Sequence, residues 1–309
     1  MNKKVAFVMG TAHCGSTLLT MVLGSHSDCL SLGEVSNLPE AYRLKKPICS
    51  VCEGDCSFWD HNFTEQERSL LSKGFSERRL HRYIPLKLEK TVRGFLKNDQ
   101  VFNPYSLIAS KTDERVLLDS TKTVYWLKKK LAAREFKENL LDAHLIHLIR
   151  DGRAVMNSYL RRKQAQGLTV RKFGEMWAQR ITNENNFFDS FSGGRKVRLR
   201  YEKFATDTEE SLRSLCEWLG IDFQPGMINY WQHQHHTISG NGGTRSLIRK
   251  YQNPESKQMA SDAQRPTGRY EERDFRIQLD QRWRTKLSAE QVAEFYETTN
   301  GLNRAYEWN

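Results

Sequence analysis

The sequence predicts an α/β protein of three layers, with a central, mostly parallel sheet flanked by helices. Short, largely apolar runs at residues 5–9, 30–35, 115–119 and 144–149 have the length and composition of buried strands. The first, third and fourth of these are followed by a turn and then by apolar residues at helical spacing. This is the strand–loop–helix order that builds a parallel sheet. At 309 residues and 38% hydrophobic content, the chain is long enough and apolar enough to bury a full core.

The first run, Val5-Ala6-Phe7-Val8-Met9, leads into Gly10-Thr11-Ala12-His13-Cys14-Gly15-Ser16-Thr17. Leu18, Leu19, Val22 and Leu23 then recur as one side of a helix. A glycine-bounded loop between strand and helix aims backbone N–H groups and a helix N-terminus at an anion. The G-x4-G spacing is P-loop-like. However, Ser16-Thr17 follows where a nucleotide-hydrolysing loop has lysine and then serine or threonine. The loop suits a phosphate without the lysine that reaches the outer phosphates of a nucleoside triphosphate.

The balance of 48 Lys+Arg against 37 Asp+Glu gives a net charge of +11, which suits polyanionic partners. No aromatic and basic interleaved face favours nucleic acid. No run approaches the roughly 18 apolar residues of a spanning helix, and the first strand leaves no room for a signal peptide behind Met1. A cytoplasmic location is expected, with the six cysteines as thiols or metal ligands rather than disulfides. One domain over 1–309 is predicted, with a helical and cysteine-rich insertion over about 36–110 and a polar segment over about 246–309.

Glu34 closes the second strand, at the edge where α/β ligands bind. It is either a site residue or a carboxylate placed at the next helix N-terminus. Cys49, Cys52 and Cys56, with His61 shortly after, could supply four zinc ligands. The second Cys-x2-Cys pair is absent and the loop is tight, so a thiol-lined loop is the preferred reading and no metal ligand is assigned. Thr64 and Glu67 form a capping box, and residues 64–98 read as helical, with a basic run over 78–97. Asp119 ends the third strand and either caps the following helix, orients Lys122 or holds Mg²⁺.

Arg150 ends the fourth strand, where a guanidinium fork suits a phosphate or pairs with an acid. Asp151 is placed to cap the next helix. A long helix over 169–191 carries Phe173, Met176, Trp177 and Ile181 as a core stripe. Residues 196–201 alternate as a strand, and Asp207 with Glu210 boxes the next helix. His233 and His236 share a face if helical, and metal binding there is the minority reading. Gly240-Asn241-Gly242-Gly243 marks an irregular segment near a ligand. Ser288 with Gln291 opens the last helix.

Three of these stretches together resemble the sulfotransferases that use 3′-phosphoadenosine 5′-phosphosulfate (PAPS). Their 5′-phosphosulfate loop corresponds to His13-Cys14-Gly15-Ser16-Thr17-Leu18, with His13 standing where the family has lysine or arginine. Their 3′-phosphate motif corresponds to Arg150-Asp151-Gly152-Arg153 with Ser158. The strand leading to Tyr201-Glu202-Lys203-Phe204, with the helix closing on Trp218-Leu219-Gly220-Ile221, is also similar. Arg245 lies in a looser match to a late nucleotide-covering segment.

The resemblance implies PAPS as co-substrate with no metal required, held by residues 13–18, Arg150, Ser158, Tyr201 and Arg245. It implies in-line transfer of a sulfuryl group to a hydroxyl or amine of a small-molecule or glycan acceptor. In the bacterial and the glycan- or tyrosine-directed branches, the corresponding glutamate is the general base, which gives that role to Glu34. His13 would then assist the leaving phosphate, and Asp119 and Lys122 would meet the acceptor. Two other classes stay in view: a P-loop nucleotide kinase or nucleoside triphosphatase with Asp119 on Mg²⁺, and a non-catalytic protein that binds nucleotide or acidic glycan.

Overall fold

The computed structural model describes residues 2–52, 54–76, 103–161, 167–252 and 275–309. Its centre is a five-stranded, entirely parallel sheet in the order β2-β3-β1-β4-β5. The strands are β1 (Lys4–Met9), β2 (Cys29–Gly33), β3 (Val116–Lys122), β4 (Asp142–Ile149) and β5 (Lys196–Arg200). All five expected strands are present. β1 to β4 are buried almost throughout, because helices cover both sides, whereas the edge strand β5 alternates and buries only Leu199. Val5, Ala6 and Met9 in β1, and Val116, Leu117 and Leu118 in β3, are fully buried. The crossovers are long because parallel neighbours cannot be joined by a tight turn.

The helix α1 (Ser16–Leu23) follows β1 directly and buries Leu19, Val22 and Leu23. Several predicted termini are realised. Thr64 and Glu67 form the capping box of Glu65–Phe75, and Ser288 and Gln291 that of Ala289–Thr298. The Asp151 side chain accepts the Arg153 N–H at the start of Gly152–Leu160. Thr123 caps Val124–Leu131 through Trp126 N–H, and Thr169 caps Val170–Ser190 through Lys172 N–H.

Other expectations are corrected. Asp207 takes no side-chain cap; Glu210 instead accepts a hydrogen bond from Lys203 Nζ at 3.1 Å. Phe173, Trp177 and Ile181 form the core stripe of the long helix, but Met176 is 47% exposed. Residues 173, 177 and 181 follow one i+4 line, and 176 lies roughly a quarter turn to its side. Tyr201 opens a short helix, Tyr201–Thr206, instead of ending β5. The basic run over 78–97 lies outside the described residues. Among the described residues, no helix is long and apolar enough to cross a membrane.

Candidate active site

The ends of β1, β2, β3 and β4 open on one edge of the sheet, and the sequence-predicted loop lies there. Met9 pairs with Lys122 in register, so the loop leaves β1 beside the end of β3. The turn is tight at two points. A Cβ on Gly10 would stand 2.4 Å from the Leu148 carbonyl oxygen, and Gly15 has φ +99° with the Tyr201 ring 2.3 Å from where its Cβ would be. Both positions therefore require glycine. His13 also adopts a left-handed backbone, φ +67°. Gly15 is the N-cap of α1, so the first N–H groups of that helix point back into the loop.

Arg150 joins this loop to β4. Its Nη1 donates to the His13 carbonyl oxygen at 2.7 Å, and its guanidinium lies over the Tyr201 ring at 4.3 Å. Nη2 is 3.7 Å from a carboxylate oxygen of Asp280, whose own firmer partner is Arg282, at 2.6 Å. Arg150 Nε and Nη2 are buried with no hydrogen-bond partner among the described residues. Five donors in a rigid fork with two buried positions open is a geometry that fits an oxyanion. Ser158 lies two turns along the following helix and donates to the Ala154 carbonyl at 3.0 Å. The His13 and Tyr159 rings meet edge to face at 5.0 Å.

Asp151 and Gly152 are fixed from the far end of the chain. Asp151 accepts from Asn303 Nδ2 at 3.2 Å and from the Trp308 backbone N–H at 3.1 Å, while Gly152 N–H donates to Asn303 Oδ1 at 2.7 Å. A Cβ on Gly152 would meet Asn303, Phe295 and Trp177, all under 3.0 Å. Sequence reasoning did not foresee this clamp, because Asn303 and Trp308 lie more than 150 positions away.

A second missed contact is Arg180, whose Nη2 donates to the Gly10 carbonyl at 2.7 Å and whose Nε is held by Glu184 at 2.8 Å. Glu184 is buried and also faces His147 Nε2 at 3.3 Å. The available signal was a carboxylate three positions after Ile181, on the apolar side of the helix.

Glu34 and Lys122 come together at the ends of β2 and β3. Lys122 Nζ donates to Glu34 Oε1, and Asn37 Nδ2 donates to Oε2 at 3.2 Å. Glu34 precedes a single 3₁₀ turn, Val35–Asn37, but its side chain caps no backbone N–H there. The Glu34 N–H donates to the Ile238 carbonyl at 2.7 Å, and Ile238 N–H donates to Leu32 O at 2.8 Å. Residue 238 thus adds a parallel bridge to the edge of β2. The approach is so close that a Cβ on Gly33 would lie 2.4 Å from Ile238 O. The chain then passes the loop between β1 and α1: Asn241 N–H donates to Thr17 Oγ1 at 3.0 Å. It continues into the helix Gly242–Gln252, and Arg245 Nη1 donates to the Ser50 carbonyl at 3.1 Å.

Asp119 is placed differently from expectation. It neither caps the next helix nor faces the crevice. Its carboxylate is buried and accepts from Tyr105 OH at 2.6 Å, Trp126 Nε1 at 2.6 Å and Thr121 N–H at 2.8 Å. Burial pushes its pKa up while these donors pull it down. The residue ties β3 to its flanking helices, leaving Lys122 as the member of that pair that reaches the site. Cys14 is also buried, and burial pushes its thiol pKa up, so it is a packing residue beneath the loop.

The cysteines gather, but with a different histidine. His61 is exposed and turned to Asp55 Oδ1 at 2.7 Å. The sulfurs of Cys49, Cys52 and Cys56 group instead with Nδ1 of His236. The segment 233–238 is not helical, which corrects the shared face expected for His233 and His236. His233 Nε2 lies 3.1 Å from Gly226 O and His235 Nε2 lies 2.7 Å from Tyr230 O. Burial lowers the His235 pKa to about 4.

The comparisons with known proteins agree with this architecture. The chain aligns along its whole length with the sulfotransferase domain from the Synechococcus PCC 7002 olefin synthase, at 19% identity, a TM-score of 0.56 and 97% of that chain. It aligns similarly with the sulfotransferase domain from the curacin biosynthetic pathway, at 16% identity, a TM-score of 0.50, 100% of this chain and 99% of that one. At these identities the likeness is one of fold. No curated protein matches by sequence. The family profile described as the Sulfotransferase family matches residues 6–225, a span that holds the loop after β1, Glu34, Lys122 and Arg150, and the chain therefore belongs to the sulfotransferase family.

Proposed function

We propose that the protein transfers a sulfuryl group from PAPS to a hydroxyl or amine of an acceptor, with Glu34 as general base. One observation carries the donor half of this reading. The two stretches that resemble donor motifs are joined by Arg150, which reaches the His13 carbonyl with one nitrogen and leaves two buried nitrogens open. A nucleotide carrying phosphate at both its 5′ and 3′ positions needs two anion sites a sugar apart, and the loop and the guanidinium supply them. In this reading the α1 N-terminus, Ser16 and Thr17 hold the 5′ end, Arg150 and Ser158 the 3′-phosphate, and Arg245 follows from the covering segment.

PAPS supplies an activated sulfuryl group, so the protein's part is positioning and charge stabilisation. In this reading residues 13–17 face the leaving phosphate, where negative charge develops, and His13 assists the Ser16 and Thr17 hydroxyls in donating to it. Glu34 is held in one orientation by Lys122 and Asn37, at the neighbouring strand ends. Its carboxylate is the group in this crevice suited to take the acceptor's proton. Lys122 competes for the same oxygen, so an acceptor hydroxyl must displace or share that contact. Asp119 is not available as a metal ligand, since three donors already enclose its carboxylate. This disfavours the kinase reading.

The direct test is a panel of sugar, lipid, peptide and small phenolic or hydroxylated acceptors incubated with ³⁵S-labelled PAPS and no added metal. Transfer of label to one acceptor class, abolished in Glu34→Gln, is the expected result. Melting should rise with 3′-phosphoadenosine 5′-phosphate and much less with AMP. A response to ATP with Mg²⁺ alone would replace this reading with the kinase one. Nucleotide binding without transfer to any acceptor would leave a binding protein.

A further inference from the structure

The sulfuryl-transfer reading makes no use of the cysteine-rich stretch after β2. Cys49, Cys52 and Cys56 turn their sulfurs toward His236, and the three Sγ atoms and His236 Nδ1 all lie within 4.8 Å of one another. His236 Nδ1 is 3.2 Å from Cys56 Sγ and 3.6 Å from Cys52 Sγ. In a tetrahedral zinc site, bonds of ~2.3 Å to sulfur and ~2.0–2.1 Å to nitrogen put a sulfur and a nitrogen about 3.6 Å apart. The same geometry puts two sulfurs about 3.8 Å apart. We infer that Cys49, Cys52, Cys56 and His236 form a closed, structural zinc(II) site.

The surroundings support a metal over mere thiol packing. Backbone N–H groups of Val51 and Cys52 point at Cys49 Sγ, at 3.4 and 3.3 Å, and Trp59 N–H points at Cys56 Sγ at 3.5 Å. Such donors stabilise sulfur as thiolate, the form that binds metal. His236 is oriented from both sides, its ring stacked on Phe58 at 5.8 Å and its carbonyl oxygen accepting from Trp59 Nε1. Three thiolates and one imidazole with this softness select zinc over the oxygen-preferring cations. The chain itself fills all four positions, so the site is structural and leaves none open for a reacting water. Binding involves no oxidation: each thiol gives up a proton to solvent as its sulfur bonds the metal.

The position of the site gives it a role. It joins residues 49–56 to His236, 180 positions away along the chain from Cys56. Immediately after His236, Thr237 O accepts from Ser50 N–H at 2.9 Å, Ile238 pairs with β2, and Asn241 reaches Thr17. Zinc would fasten the strap that runs along the end of β2 and over the phosphate loop, in a stretch with little helix or sheet of its own.

The test is metal content of the full-length chain, purified without chelator and dialysed against metal-free buffer. We expect one zinc per chain in the wild-type protein and in His61→Ala. Under the same dialysis, Cys56→Ser and His236→Ala should hold less than a tenth of that. Replacing zinc by cobalt(II) should give the intense visible bands of tetrahedral cobalt bound to thiolate. Chelation should lower the melting temperature and expose the three thiols to alkylation. Wild-type protein that holds no zinc, takes up no zinc or cobalt after reduction and alkylates freely would overturn the assignment. So would a disulfide within 49–56 in the freshly purified chain, or metal lost in His61→Ala and kept in His236→Ala. The wild-type stoichiometry decides the matter even where a variant fails to fold.

Discussion

Arg150→Ala tests the donor reading without knowledge of the acceptor. The arginine is 7% exposed, and two of its nitrogens are buried with no hydrogen-bond partner among the described residues. A hydrogen bond to a charged group contributes about 1.5–3 kcal/mol, so a 3′-phosphate filling both positions would gain about 3–6 kcal/mol. The existing 3.7 Å contact with Asp280 offsets part of this, and the lower end is the better guide. At 1.4 kcal/mol per factor of ten, the variant should lose roughly 100-fold of its preference for 3′-phosphoadenosine 5′-phosphate over AMP. AMP affinity should change little, because the loop and the α1 N-terminus remain. Arg150→Lys keeps the charge without the fork and should fall between.

Folding must be followed in parallel, since the substitution also removes the bond to His13 O and the stacking on Tyr201, the latter alone ~0.5–2 kcal/mol. Calorimetric titration of both nucleotides, with melting curves on the same preparations, separates the two effects. A folded Arg150→Ala protein whose preference stays within about threefold of wild type would refute the assignment of this arginine to the 3′-phosphate.

Glu34→Gln should lower turnover by ~10²–10⁴-fold while nucleotide affinity stays near wild type, since a positioned base contributes in that range. Its partly exposed pair with Lys122 is worth only ~0.2–1 kcal/mol of stability, so near-normal turnover with slightly lower melting would make Glu34 an orienting charge only. Asp119→Asn should strand at least one of the Tyr105, Trp126 and Thr121 donors and cost ~1–3 kcal/mol in denaturant unfolding, with unchanged nucleotide binding. An undiminished stability would show that the buried carboxylate is not the anchor described.

Glu135 predicts a pH dependence. Burial raises its pKa to about 7, against hydrogen bonds from the Ser106 N–H and hydroxyl. The folded state therefore holds its proton more tightly than the unfolded chain does. The associated stability is present below about pH 4.5 and is lost as pH rises through about 7, by at most about 3 kcal/mol. Glu135→Gln should remove that slope and be more stable than wild type at pH 8. Parallel pH profiles for both proteins would disprove it.

The sequence by itself determined the local architecture. Apolar runs bounded by turn residues specified the first four strands, because a strand buried on both faces is largely apolar, and alternation specified the fifth, which lies at the sheet's edge. Thr64, Asp151 and Ser288 marked helix starts, because a cap acts over three residues of its own chain, although Asp207, read the same way, takes no side-chain cap. The tight loop between β1 and α1 was readable for the same reason, as glycine spacing, hydroxyls and helix are contiguous. Strand ends also gave the positions of Glu34, Lys122 and Arg150, since all face one edge of a parallel sheet.

Only the tertiary structure decided which side chains meet across the fold. Asp119 has the sequence position of a crevice residue, yet Tyr105 and Trp126 enclose it from two flanking helices. Asn303 and Trp308 clamp Asp151 from the end of the chain. His236 displaced the nearer His61 beside the cysteines because the bridge of Ile238 onto β2 carries it there. A contact between residues far apart leaves no periodic trace in the sequence. It is set by sheet order and by the packing of whole elements, and the partner nearest in number has no claim on a site that the fold assembles from a distance.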